Sequence, residues 1–211
     1  MKTILITGGT GGLGTAVVKR LAAEYRCVVL YHGQSGFDAL RKVVDVEGVS
    51  ADVSDAAEVE RAVASVGDLY AVVHLVGGFA AGNDADTWSK MLSLNLIAAV
   101  NVTRAAMGRL ARGGRIVAIS SSATLDRPKG LGAYVVSKSA LNALVQELAI
   151  ELKDRAITVN ALLPSSLGTP AMKSQGDSAR LVPIDRVADT IAWLLSDAAS
   201  NVSGTLIPLR A

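Results

Sequence analysis

Short apolar runs alternate with amphipathic stretches along the whole chain. Runs rich in Val, Ile, Leu and Ala fall at residues 3–7, 27–31, 48–51, 70–76, 115–120, 157–162 and 205–209. The first, Lys2 to Thr7, has the β-branched, unalternating character of a strand buried on both faces. Between these runs, apolar residues recur at helical spacing over 13–24, 37–43, 55–66, 85–111, 133–153 and 186–196. In the first such stretch Ala16, Val17, Leu21 and Ala22 form the stripe. Strand and helix in strict alternation imply an α/β fold with a parallel sheet of about seven strands and helices on both faces. Ligands of such a sheet lie at the carboxyl ends of its strands. No repeat, linker or low-complexity segment interrupts the pattern, so 1–211 reads as one domain, and 211 residues suffice for a full core.

Composition narrows the classes. Hydrophobic residues make up 50% and aromatics only 4%, so the core is aliphatic. Twenty-one Lys and Arg against 19 Asp and Glu leave a net charge of +2, and no basic cluster is interleaved with aromatics, which argues against nucleic acid as a partner. The lone cysteine, Cys27, lies in the apolar run Cys27–Leu30 and fills core volume more readily than it reacts. No signal peptide precedes the first strand, and no apolar stretch reaches the ~20 residues of a membrane span. The expectation is a soluble protein of a reducing compartment, the cytoplasm.

Two motifs carry chemistry. The first strand runs directly into Gly8-Gly-Thr-Gly-Gly-Leu-Gly14 and then into a helix, the context a dinucleotide-binding loop requires. Glycines let the backbone approach a pyrophosphate, and the helix N-terminus offers its N–H groups. The second motif is Tyr134-Val-Val-Ser-Lys138, thirteen residues after Ser121. Tyr and Lys four apart share a helix face. A neighbouring ammonium favours an ionised phenol, whose ordinary pKa of ~10 is too high for proton exchange at neutral pH. Ser121, at a strand end, can hold the same substrate oxygen.

Together, Thr7-Gly-x-x-x-Gly12-x-Gly14, Ser121, Tyr134 and Lys138 resemble the short-chain dehydrogenase/reductase family. Further matches are Ala51-Asp52-Val53, Leu94-Asn95-Leu96, Ile157 to Pro164, and Thr169-Pro170. The resemblance implies a single Rossmann-type domain, with Asn95, Ser121, Tyr134 and Lys138 as catalytic residues. It places Gly8, Thr10, Gly12, Leu13, Gly14, His32, Asp52, Val53, Gly77, Tyr134, Lys138 and Thr169 against a nicotinamide dinucleotide. In that pattern Asp52 meets the adenine, Thr169 the nicotinamide amide, and Lys138 the nicotinamide ribose. Asn95 holds a water that links Lys138 to solvent. The implied reaction is hydride transfer to or from a small carbonyl or alcohol. A catalytically silent dinucleotide sensor or scaffold shares the fold, but has no physical need of the four catalytic residues together. No metal is implied; a homodimer or homotetramer is.

Cofactor choice turns on Tyr31-His32-Gly33-Gln34-Ser35. An NAD site usually carries an acid here for the ribose 2′-hydroxyl, whereas the first carboxylate downstream of this segment is Asp38. His32, Gln34 and Ser35 can donate to a 2′-phosphate, so NADP(H) is favoured over NAD(H), although no Arg or Lys stands in the segment. The chain departs from the family elsewhere too. His74-Leu75-Val76-Gly77 replaces the usual Asn-Asn-Ala-Gly; Gly77 is kept, and His74 reads as a hydrogen-bonded core histidine. Val76 to Gly82 resembles the matching stretch of dihydropteridine reductases, a hint toward a quinone- or pterin-like substrate. Phe79, Trp88 and Leu125 are candidates for an apolar pocket. Residues 171–183, with Lys173, Ser174, Gln175, Asp177 and Ser178, are the only segment available as a lid.

Overall fold

A computed structural model describes residues 1–174 and 181–211. The strands are β1 (Thr3–Thr7), β2 (Arg26–Tyr31), β3 (Glu47–Ser50), β4 (Leu69–His74), β5 (Leu110–Ile119), β6 (Thr158–Pro164), β7 (Ser166–Leu167), β8 (Leu181–Val182) and β9 (Leu206–Leu209). Among the described residues seven of them form one sheet in the order β3-β2-β1-β4-β5-β6-β9, every pairing parallel. β7 and β8 form a separate parallel pair. The order reverses on either side of β1, which opens a crevice at the carboxyl edge between β1 and β4.

Helices cover both faces. On one lie α1 (Gly12–Leu21), α2 (Gln34–Arg41) and α9 (Ile184–Leu195), packed on Ile4, Ile6, Val29, Val73 and Val117. On the other lie α3 (Ala56–Val66), α5 (Ala98–Met107) and α7 (Gly132–Glu151), packed on Leu5, Val72, Ile116, Ala118 and Leu163. Adjacent residues of β1 thus feed opposite cores, as period-two alternation requires. α3 begins where the Asp55 carboxylate accepts from the Glu58 N–H at 2.9 Å, and α4 (Ala85–Leu92) where Asp84 accepts from the Thr87 N–H at 2.8 Å. Two short helices complete the set, α6 (Ala123–Asp126) and α8 (Pro170–Lys173). Among the described residues no helix is long and apolar enough to cross a membrane. Cys27 is buried, and burial pushes its thiol up to about 12, which leaves it unreactive.

Several boundaries differ from the sequence expectation, β5 among them, which begins at Leu110 rather than at 115. The single helix expected over 85–111 is α4, a π-helical turn at Ser93–Ile97, and then α5, which stops at Met107 because β5 already begins at Leu110. A π turn is a single widened turn inside a longer helix, too short for hydrophobic periodicity to resolve. The strand expected over 70–76 ends at His74, and α2 starts at Gln34, three residues early. Of the expected lid, Gln175, Asp177 and Ser178 lie outside the described residues.

Candidate functional site

The glycine loop is built for close approach. Gly8 has φ +70°, a left-handed conformation that favours glycine, and its carbonyl accepts from the Gly11 N–H at 3.1 Å. A Cβ on Gly14 would lie 2.1 Å from the Gly8 carbonyl oxygen. Gly11 caps α1 without a side chain, and no acid occupies the first turn, so the dipole and N–H groups there have no competing anion. A Cβ on Gly12 would come within 3.1 Å of Thr169 Cβ, which places Thr169 against the loop. Thr169 itself caps α8, its Oγ1 accepting from the Met172 N–H at 3.4 Å. Thr10 stands against Gly36, and Leu13 lines the adjoining cleft.

At the far end of the crevice, Asp52 follows β3. Its Oδ1 accepts from the Ser54 N–H (2.8 Å) and hydroxyl (2.7 Å), and these bonds hold its carboxyl below the usual range, helped by nearby His32. The carbonyl of Val53 accepts from Asn101 at 3.1 Å. Tyr31 donates to Gln34 Oε1 at 2.9 Å, and Gln34 Nε2 donates to Asp38 at 2.8 Å. One N–H of the Gln34 amide is thus taken by Asp38, and His32, Gln34 and Ser35 are all exposed.

Ser121, Tyr134 and Lys138 converge where β5 ends. Ser121 hydrogen-bonds the Tyr134 hydroxyl. Its neighbours are engaged elsewhere: Ser120 donates to the Lys138 carbonyl at 3.3 Å and Ser122 to Asp126 at 3.0 Å. Lys138, 4% exposed, donates from Nζ to the Ile119 carbonyl at 2.8 Å, and burial pushes it down to about 8. The phenol corrects the expectation drawn from the Tyr-x-x-x-Lys spacing. Burial raises the Tyr134 pKa, and Ser121, not Lys138, is the group that pulls it back.

Asn95 lies in the π turn and is fully buried. Its side chain is spent on the fold: Oδ1 accepts from the Gly78 N–H at 2.8 Å, while Nδ2 donates to the Gly78 carbonyl at 3.0 Å and to Ser137 Oγ at 3.0 Å. The amide clamps the loop after β4. Gly77 lies in that clamp, because a Cβ there would be 2.8 Å from Lys138 Nζ and 2.9 Å from Asn95 Oδ1.

A cleft of about 770 Å³ opens over these groups, lined by Leu75, Phe79, Leu131, Leu167 and Met172 among others. Phe79 is 65% exposed and meets the Tyr134 ring edge-on, with centroids 5.0 Å apart at 73°. Trp88, bonded to Asn83 at 2.9 Å, and Leu125 do not line it. Asp126 does, but its carboxylate is held by Arg210 at 2.8 Å and by Ser122. Sequence reasoning missed Ser137, the Ile119 carbonyl and Arg210, since none carries a motif.

His74 is a buried, hydrogen-bonded histidine, 2.9 Å from Thr7 Oγ1 through Nδ1. Burial, reinforced by Lys138, lowers its pKa from 6.5 to about 3. An unfolded chain takes up this proton near 6.5 while the folded one holds off until about 3, so the stabilisation is complete above 6.5 and is lost as pH falls through that window. The loss is up to about 1.4 kcal/mol per pH unit. Denaturant unfolding of wild type and His74→Asn at several pH values tests this; the variant should lose less stability on acidification, and equal acid sensitivity would refute the assignment.

The comparisons with known proteins agree with this geometry. The family model described as short chain dehydrogenase matches residues 2–180. L-xylulose reductase of Bos taurus is 33% identical, the alignment covering 97% of this chain and 93% of that protein. The crystal structure of BdcA in complex with NADPH superposes with a TM-score of 0.90 at 29% identity, over 99% of this chain and 92% of that one. A variant of actinorhodin polyketide ketoreductase with NADPH gives 0.89 at 27% identity, over 99% and 95%. With the family model spanning residues 2–180 and relatives and solved structures aligned along nearly the whole chain, this chain belongs to the short-chain dehydrogenase family.

Proposed function

We propose that the protein is an NADP(H)-favouring oxidoreductase that acts on a small, uncharged carbonyl or alcohol, with Tyr134 as acid and base. The observation that carries this reading is the convergence of Ser121, Tyr134 and Lys138 at the crevice headed by the Gly8–Gly14 loop. The loop fits a pyrophosphate: its glycines leave no room for a Cβ at Gly14, and α1 presents an uncapped N-terminus. Gly8, Thr10, Gly12, Leu13 and Gly14 would hold the phosphates and the adjoining ribose. Asp52 and Val53 would border the adenine, and Gly77 and Thr169 the nicotinamide half. The dinucleotide, when bound, supplies or accepts hydride.

The chain's own residues handle the proton and the charge. In reduction the Tyr134 hydroxyl donates its proton to the substrate oxygen as that oxygen gains charge. Ser121 orients the same oxygen and shares its charge. Lys138, a buried cation below about pH 8, steadies the phenolate left behind and would hold the nicotinamide ribose when the dinucleotide is bound. A phenol raised above its ordinary value stays protonated through neutral pH and so holds the proton that reduction requires, and the Lys138 ammonium offsets the cost of giving it up. Asn95 supports this indirectly by clamping Gly78 and hence Gly77.

Cleft chemistry supports the substrate class. Among the described residues its lining offers no unpaired surface cation for a carboxylate or phosphate, and Phe79 presents a flat apolar ring beside Tyr134. A quinone- or pterin-like ring can stack there with its oxygen at Tyr134 and Ser121. Exposed Ile97, Val136 and Ile150 support association into a homodimer or homotetramer through the α5 and α7 faces.

Titration of the protein with NADPH and NADH in parallel, read by nicotinamide emission and tryptophan quenching, tests the cofactor assignment. Saturable binding with NADPH tighter is expected, because no acidic residue stands in Tyr31–Ser35 at the end of β2 to repel a 2′-phosphate. Tighter NADH would overturn that preference, and no binding of either would overturn the function. Carbonyl, quinone and pterin panels with the preferred cofactor then identify the substrate.

A further inference from the structure

His74 ends β4, beside Thr7 of β1 and Ala118 of β5 in the sheet register. Leu5 and Val72, two positions upstream of Thr7 and His74, pack into the core beneath α7, so alternation puts Thr7 and His74 on that same face. The imidazole is 1% exposed. Its Nδ1 is bonded to Thr7 Oγ1, while Nε2 is buried with no partner. A buried ring nitrogen left unpartnered calls for an explanation.

Lys138 reaches the same place from α7. Its Nζ bonds the carbonyl of Ile119, one residue beyond Ala118, and lies 2.8 Å from the position of a Cβ on Gly77, three residues beyond His74. The ammonium is therefore held just off the ends of β4 and β5, above the histidine. We propose that His74 is a positioning residue for Lys138: a neutral imidazole, locked by Thr7, that turns the lone pair of Nε2 toward the ammonium and steadies its charged form by charge–dipole attraction.

The tautomer follows from the surroundings. A nearby ammonium repels an Nε2–H and favours a bare Nε2, so Nδ1–H donates to Thr7 Oγ1. Burial and Lys138 together keep the ring neutral far below pH 7, so the lone pair persists wherever the enzyme works. The other titratable groups facing Lys138 are Tyr134 on its own helix and Asp126 across the cleft on α6, the latter paired with Arg210. Neither lies beneath the ammonium at the strand ends. This role rests on the reading of Lys138 as the partner of Tyr134.

The chain has only two histidines, His32 and His74, so nitrogen NMR of the imidazoles resolves the second directly. The experiment records two-bond proton–nitrogen correlations of the ¹⁵N-labelled full chain across pH, in wild type and in Lys138→Met. The expected spectrum shows a His74 with protonated Nδ1 and a bare Nε2. Its Nε2 signal should shift with a midpoint near 8, where Lys138 loses its proton, and this step should vanish in Lys138→Met. A protonated Nε2, or an Nε2 signal that ignores Lys138 titration, overturns the proposal. A merely structural histidine gives that second result. The wild-type titration decides the matter even if Lys138→Met does not fold. Because the readout needs no turnover, a positive result survives failure of the Tyr134 reading, and a negative one leaves that reading intact.

Discussion

Replacing Tyr134 with Phe is expected to lower turnover about 10²- to 10⁴-fold, the usual contribution of a positioned acid or base, while cofactor affinity and thermal stability stay near wild type. The substitution removes one oxygen. It deletes the proton donor and the hydrogen bond with Ser121, but keeps the ring that Phe79 meets edge-on. Packing is thereby separated from chemistry. Steady-state kinetics with a carbonyl from the substrate panel, alongside NADPH titration and thermal melting, make the comparison. Turnover within a few-fold of wild type would remove Tyr134 from the proton path, whereas a melting temperature that falls with activity would point to lost structure.

The second large effect is expected at Gly14. A Cβ there would lie 2.1 Å from the Gly8 carbonyl oxygen, 2.6 Å from Gly9 Cα and 2.7 Å from Gly9 C. All three are backbone atoms, so no rotamer change relieves the clash. Either the loop or the first turn of α1 must move. Gly14→Ala should therefore cost at least the about 1–3 kcal/mol of an overpacked core and abolish saturable NADPH binding. Gly33→Ala is the control, since a Cβ at Gly33 meets nothing within 4 Å. Denaturant unfolding and NADPH titration of both variants test the contrast. A Gly14→Ala protein as stable as wild type that still binds NADPH would show that the loop does not need this close approach.

The two predictions draw on different kinds of information. The glycine loop was legible in the sequence, because strand, turn and helix follow one another within the first 21 residues and each is specified by its own neighbours. Ser121, Tyr134 and Lys138 were legible for a related reason. A strand end followed by a helix fixes their approximate positions, and the four-residue step from Tyr to Lys fixes a common helix face. Cofactor selection was only half legible. The lack of an acid at the end of β2 is a sequence fact, but the pairing of Gln34 with Asp38 is not.

The environment of each group was not legible. The spacing of Tyr134 and Lys138 suggested a phenol lowered by its neighbour, yet burial raises it, and the Lys138 Nζ is turned to the Ile119 carbonyl. Asn95 was legible as part of the family pattern, but its partners were not: its side chain clamps Gly78, 17 residues away, and meets Ser137, 42 away. His74 read as a core histidine and is one, but its link to Thr7 spans 67 residues. The sequence by itself determined the order of elements, the parallel sheet, the phosphate loop and which residues gather at its edge, because periodicity and turn chemistry act between near neighbours. Only the tertiary structure decided protonation, hydrogen-bond partners and the π turn, because desolvation and partnering are set by atoms that the fold brings together from distant parts of the chain.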